Sequence, residues 1–285
     1  MKEAEEGWDL VIKPQAKWYQ LDLAAIWEYR DLLMLFVKRD FISVYKQTLL
    51  GPLWYIIQPA LTTLTFTVIF GGIAKISTNG VPPILFYLSG ITLWTYFSDC
   101  LNRTSNTFIS NSGIFGKVYF PRLVAPLSVL VSNLIKLGIQ MLLFLGVWTY
   151  YLYTGDTLKP CYPYFILIPF LIIVMAGLGL GFGILISSLT TKYRDLTFLV
   201  GFGTQLMMYA SPIIYPLSTI RKPEYRHILM LNPVTSIIET FKYIFLGNGI
   251  LNWYALLYSI VFMVILLLVS VIVFNKVEKS FMDTV

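Results

Sequence analysis

The chain has 285 residues, 57% of them hydrophobic and 13% charged, with a mean hydropathy of +0.71 and a net charge of +6. A soluble domain carries about a quarter charged residues, so this composition excludes one and points to an integral membrane protein. Nor does the basic excess mark a nucleic-acid binder: of 21 Lys and Arg, seven precede residue 50 and few interrupt apolar runs, so membrane topology accounts for them.

Residues 1–21 read as a polar, partly acidic tail without the apolar core of a secretory signal, and no cleavable signal peptide is expected. Residues 22–50 then read as an amphipathic helix. Leu23, Ile26, Trp27, Leu33, Met34, Val37, Phe41 and Val44 recur at helical spacing, while Glu28, Arg30, Asp31, Lys38 and Arg39 fall largely on the other side. Such a helix lies in the headgroup layer with its apolar face in lipid. After Gly51 the polarity collapses, and six spans follow at about 51–74, 83–101, 123–153, 163–189, 196–215 and 253–274. Each is near the roughly 20 residues that cross about 30 Å of hydrocarbon, and the third is long enough to tilt or to start in the interface. Helices are expected because backbone polar groups in lipid must be satisfied within the segment. The fold class is therefore all-α and membrane-integral.

Loop charges set the orientation. With the N-terminus inside, segments 1–50, 102–122, 190–195 and 275–285 face inward and hold fourteen Lys or Arg. The outward segments 75–82, 154–162 and 216–252 hold six, and Lys136 is the remaining one. The positive-inside rule thus places both termini, including the tail 275–285, in the cytoplasm. Trp148, Tyr150, Tyr151, Tyr153, Tyr162 and Tyr164 form an aromatic belt at the outer end of spans three and four. Cys100 and Cys161 fall on opposite sides and are not expected to pair. In 216–252, an apolar stripe of Ile237, Ile238, Phe241, Ile244, Phe245 and Leu246 follows Asn232-Pro233, which suits short re-entrant helices; a helix lying on the outer leaflet is the alternative.

No nucleotide-binding loop is present. Gly113-Ile114-Phe115-Gly116-Lys117 lacks the four-residue spacer and the following Ser or Thr, and Gly177, Gly179, Gly181 and Gly183 lie inside an apolar span, where small residues let helices approach. Work driven by ATP would need a motor on another chain. With His227 the only histidine and the carboxylates scattered, no catalytic or metal constellation is expected, and no cofactor. Lys136 sits deep in span three beside Asn133 and Gln140. It reads either as a contact for an anionic head group in a translocation path or as a Lys snorkelling inward or paired with a carboxylate such as Asp99. Among the aromatics, Tyr209 is carried forward with Lys136 as a candidate path residue; most others are belt or packing residues.

Four segments resemble the membrane subunit of ABC-2-type polysaccharide exporters, the O-antigen, capsule and teichoic acid systems. They are Arg39-Asp40 through Tyr45-Lys46-Gln47, Leu50-Gly51-Pro52-Leu53-Trp54 and Gln58-Pro59; Lys117-Val118-Tyr119-Phe120-Pro121-Arg122 with Pro126-Leu127-Ser128; Tyr193-Arg194-Asp195 followed by Ser211-Pro212-Ile213-Ile214-Tyr215-Pro216; and Leu231-Asn232-Pro233 with the closing Glu278-Lys279-Ser280-Phe281-Met282-Asp283. The likeness runs from residue 39 to the C-terminus. It implies an ABC-2 transporter fold: a homodimer of six-span subunits around a canal, with two copies of a separate ATPase that uses ATP and Mg. The cargo would be a lipid-linked glycan crossing the bacterial cytoplasmic membrane. Carried over by position, the coupling region 102–122 docks the ATPase through Thr104 to Lys117, with Thr104, Ser110, Asn111, Phe115 and Lys117 as candidates. Arg39, Asp40, Tyr45, Lys46 and Trp54 mark the entrance where the interface helix meets span one, and 216–252 forms an outer gate. Two other readings stay open: an ABC-2 permease for a small drug or lipid, and a membrane scaffold or enzyme without transport.

Overall fold

A computed structural model of the chain describes residues 23–46, 48–115, 117–118, 120–155, 158–190, 193 and 195–281. The predicted tail 1–21, the motif residues Gln47, Tyr119, Arg194, Met282 and Asp283, and the side chain of Tyr45 lie outside them.

The interface segment is two helices, α1 (Leu23–Glu28) and α2 (Arg30–Tyr45), broken at Tyr29. In α2, Phe36 and Val37 are buried against the protein, while Met34, Leu35 and Ile42 are exposed. The helix therefore has two apolar faces where the sequence pattern suggested one, because the inner face packs on a later span and leaves the other open. The chain then turns sharply. Gly51 adopts φ +50°, a left-handed value that glycine supplies without steric cost, and Pro52 opens the next helix at a position whose N–H would be unpaired anyway. Thr48 Oγ1 accepts a hydrogen bond from Gly51 N at 3.2 Å and fixes the corner.

Among the described residues, five stretches are long and apolar enough to cross a membrane: Gly51–Ile73, Pro83–Ser105, Val124–Thr154, Tyr162–Thr190 and Trp253–Val277. The first comprises α3 (Trp54–Phe66) and a wider π-type segment, Thr67–Ile73. The second is α4 (Pro83–Ser105), followed by the short α5 (Thr107–Phe115). The third is α6 (Val124–Thr154), and the fourth joins a 3-10 turn to α7 (Leu167–Thr190). Where a fifth span was expected at 196–215 there is the 14-residue α8 (Leu196–Tyr209), about 21 Å long at 1.5 Å per residue. The Ser211-Pro212 turn stops it, since proline lacks the N–H a continuing helix needs. Two short helices follow, α9 (Pro223–Met230) and α10 (Pro233–Leu246), and then α11 (Trp253–Phe281), which runs past residue 274 into the expected tail.

Burial differs sharply among the spans. In the most apolar window of α4, 78% of residues are buried, against 11% in the first span and 22% in the last. The core is thus α4, wrapped by α7, α6 and α10, while α3, α8 and much of α11 present apolar faces outward. The glycines of α7 explain the tight centre. Gly179 and Gly183 lie against Cys100 and Thr104 of α4, and Gly177 and Gly181 against Met263 and Leu266 of α11. Each pair is four residues apart, so one helix meets two neighbours through two bare faces.

Candidate functional site

The segment 102–122, expected to couple to an ATPase, takes in the last turn of α4 and the helix α5. Asn106 breaks the helix, and α5 turns aside, held by a second aromatic core. Phe108 stacks on Phe274 of α11 with centroids 4.7 Å apart, Phe115 lies 5.6 Å from Phe120, and Phe120 meets Phe36 of α2 edge-on at 5.7 Å. Phe108 N donates to Ser187 Oγ of α7 at 3.4 Å, and Thr190 Oγ1 donates to the Ser105 carbonyl at 3.2 Å. This short helix and the turn that follows it therefore touch α2, α7 and α11 at once.

The five docking candidates divide by exposure. Thr104 is fully buried against Gly183, and Asn111 and Phe115 are also buried; Ser110 and Lys117 are exposed. A partner meeting α5 in this conformation meets Asn106, Ile109, Ser110 and Gly113 instead of the inward-facing three. Arg39 joins α2 to α5. Its Nε and Nη2 donate to Asp40 Oδ1 at 2.9 and 2.8 Å, its Nη1 donates to Asn111 Oδ1 at 3.1 Å, and the guanidinium lies 4.7 Å from the Phe36 ring centre. Lys46 and Trp54 are exposed at the corner leading into α3.

Between α4 and α6 runs a polar seam. Lys136 Nζ donates to Asp99 Oδ2 at 2.6 Å and lies 5.4 Å from the Tyr55 ring centre. One turn along α4, Arg103 Nη1 donates to Asn133 Oδ1 at 3.4 Å. Gln140 is buried, and neither its oxygen nor its nitrogen has a partner among the described residues. Asn133, Lys136 and Gln140 recur at helical spacing, so they share one inward face of α6.

At the opposite end, Tyr209 closes α8. Its side chain is exposed, and its carbonyl accepts the Tyr215 hydroxyl at 3.0 Å. The Ser211–Pro216 turn lies against Gly90 of α4, where an added Cβ would come within 3.1 Å of Ile213 Cγ2. Asn232 Nδ2 donates to Ser211 Oγ at 2.9 Å, while Asn232 Oδ1 accepts from Val234 N at 3.1 Å, capping α10. Gly247, at φ +66°, ends that helix.

Two charged residues of α10 escaped the sequence reading. Lys242 is buried, donates to the Pro212 carbonyl, and stands 3.5 Å from the Phe86 ring centre. Glu239, one turn earlier, accepts from Ile250 N through Oε2 at 3.1 Å, and its other oxygen has no partner among the described residues. A Glu and a Lys three apart in an otherwise uncharged helix were the signal. Together they bind α10 to the turn after α8, to α4 and to the loop before α11.

Residues 31–246 match the family profile described as ABC-2 type transporter. The chain is 30% identical over 255 residues to the O-antigen export system permease protein RfbA of Klebsiella pneumoniae, covering 89% of this chain and 94% of that protein. It is 25% identical to the O-antigen export system permease protein RfbA of Myxococcus xanthus, over 91% of this chain and 97% of the relative. Against the polysialic acid transport protein KpsM of Escherichia coli the identity is 25%, with 86% and 93% covered.

Proposed function

Because the chain belongs to the ABC-2 type transporter family, we propose that it is the channel-forming membrane subunit of an ATP-driven exporter moving a lipid-linked polysaccharide across the bacterial cytoplasmic membrane. The observation that carries this reading is the alignment with O-antigen export permeases over nearly the whole of both chains. A separate ATPase, two copies per complex, hydrolyses ATP with Mg on the cytoplasmic side, where both termini and α5 lie. The charge asymmetry of the loops supports that side.

The subunit works as a homodimer. The weak burial of the first span supports this, as does the row of Phe198, Phe202 and Tyr209 exposed along α8. These faces enclose a canal in which aromatic rings stack on sugar rings without charge. Closure of the ATPase pair pushes the outer face of α5. That push passes to α2 through Arg39–Asn111 and the Phe36–Phe120 contact, and to α11 through Phe108–Phe274. At the outer end, α9 and α10 re-enter the membrane region and gate the exit, with Lys242 holding α10 to the end of α8.

Deleting the chain in its host and fractionating lipid-linked glycan tests the proposal. Glycan retained on the cytoplasmic side, with export restored by a plasmid copy, is the expected result. Unchanged export, or an ATPase stimulated by small hydrophobic compounds with no retained glycan, overturns it.

A further inference from the structure

Two cavities meet at Arg39. The first, of about 410 Å³, is polar, with walls that include Arg39 and Asp40 of α2, Arg103 of α4, Asn106, and Ser110 and Asn111 of α5. The second, of about 550 Å³, is almost wholly apolar, with Leu32, Phe36, Ile42, Ile114 and Phe120 in its walls and Lys38 and Arg39 on its border. Both volumes fall in the range of small-molecule sites. Arg39 stands in the wall of each.

The charges in the polar cavity do not cancel. Asp40 Oδ1 already accepts two hydrogen bonds from Arg39. One turn above Arg103, the Asp99 carboxylate is engaged by Lys136 at 2.6 Å. Among the described residues the Arg103 side chain donates to a neutral amide oxygen, at 3.4 Å, and the one carboxylate in the cavity wall, Asp40, is paired with Arg39. A half-buried guanidinium beside Asn and Ser donors suits a phosphate, whose oxygens accept its planar fork of N–H groups. An apolar cavity next door suits a hydrocarbon chain. A ligand filling both carries a phosphorylated head on a lipid tail.

We propose that these paired cavities hold the phosphorylated head and the first part of the hydrocarbon chain of a lipid-linked cargo, with Arg103 binding the head, the Asp40-paired Arg39 standing between the two cavities, and the Ile114–Phe120 side taking the chain. This rests on the reading of the cargo as lipid-linked. It also relocates the anion contact that the sequence suggested for Lys136, which Asp99 engages. Because the walls come from α2, α4, α5 and α6, a bound head group braces the elements through which the ATPase stroke passes.

The full-length chain, purified in a phosphate-free maltoside detergent, is titrated with farnesyl diphosphate, inorganic diphosphate and phosphatidylglycerol. Farnesyl diphosphate is expected to bind at least about tenfold more tightly than inorganic diphosphate, since burying two methylenes already gives that factor. It is also expected to outcompete phosphatidylglycerol. Arg103→Gln lowers affinity for both diphosphates by about tenfold or more, the worth of one charge-assisted hydrogen bond, and Arg103→Lys restores part of it. Ile114→Asn weakens farnesyl diphosphate alone. Thermal unfolding of each variant, matched to wild type, establishes that it is folded. Equal affinity for the two diphosphates overturns the two-part site, equal binding of phosphatidylglycerol overturns the cargo assignment, and unchanged binding by Arg103→Gln overturns the head-group contact. If none binds while deletion still retains glycan, this site falls and the export reading stands; binding without glycan retention does the reverse.

Discussion

Replacing Gly183 by Ala adds a single methyl group at the point where α7 crosses α4. A Cβ there would sit 2.5 Å from Thr104 Cβ, 2.8 Å from Thr104 Cγ2 and 3.1 Å from the Leu101 carbonyl oxygen. Thr104 is branched at Cβ and buried, so it has no rotamer that clears the space, and the helices must separate by about 1 Å to restore carbon–carbon contact at 3.5–4.0 Å. Overpacking of this kind costs about 1–3 kcal/mol. Against it stands the gain of about 1 kcal/mol from removing glycine from a helix. The net loss is up to about 2 kcal/mol, the difference of those two figures, where a glycine with open space around it would show a gain. Gly146→Ala in α6 is the control, because nothing lies within 4 Å of its added methyl. Thermal unfolding in detergent, followed by tryptophan fluorescence, should show Gly183→Ala melting below wild type and Gly146→Ala at or above it. Equal melting of the two variants would refute the close α4–α7 crossing.

Lys136→Met, which strands the Asp99 carboxylate, should destabilise the protein more than the double variant Asp99→Leu/Lys136→Met, with a coupling of about 1 kcal/mol or more in a double-mutant cycle measured by the same unfolding assay. Lys242→Met should cost about 1–3 kcal/mol in the same assay, because it leaves the buried Pro212 carbonyl without its donor. Substituting the Thr104 to Lys117 segment with a Gly/Ser linker should abolish copurification of the ATPase while the chain still inserts in the membrane. On the exposed face of α5, Ile109→Glu should weaken that association with little effect on unfolding. Retained association in both variants would remove α5 from the docking surface.

The membrane-spanning plan was legible because it follows from hydropathy alone: the runs that begin at Gly51, Pro83, Val124, Tyr162 and Trp253 each exceed the length a bilayer requires. Side-chain facing was less legible. Nine residues of α5 make two and a half turns, too few for periodicity to tell the face against α7 from the face against solvent. Asn111 and Phe115 were thus grouped with Ser110 and Lys117, and Thr104, at the end of α4, was carried in by position from the family resemblance, although the fold turns these three inward. The two apolar faces of α2 were merged for a related reason, since a lipid-facing residue and a protein-facing residue share the same chemistry in a membrane. The shortness of α8 was written in Ser211-Pro212, but an apolar run through Ile213 and Ile214 concealed it. Glu239 and Lys242 were visible as charges in an apolar stripe; their partners, the Pro212 carbonyl and the Ile250 amide, are distant or backbone groups that no sequence pattern names.

The central claim is that this chain conducts a lipid-linked glycan under the drive of a separate ATPase. Inside-out membrane vesicles containing the chain and its ATPase, loaded on the outer face with radiolabelled lipid-linked glycan, measure this directly. ATP should move label into a compartment protected from added glycosidase, and vesicles lacking the chain, or given a non-hydrolysable ATP analogue, should show no sustained movement. Protection of the glycan that is independent of the chain would contradict the account.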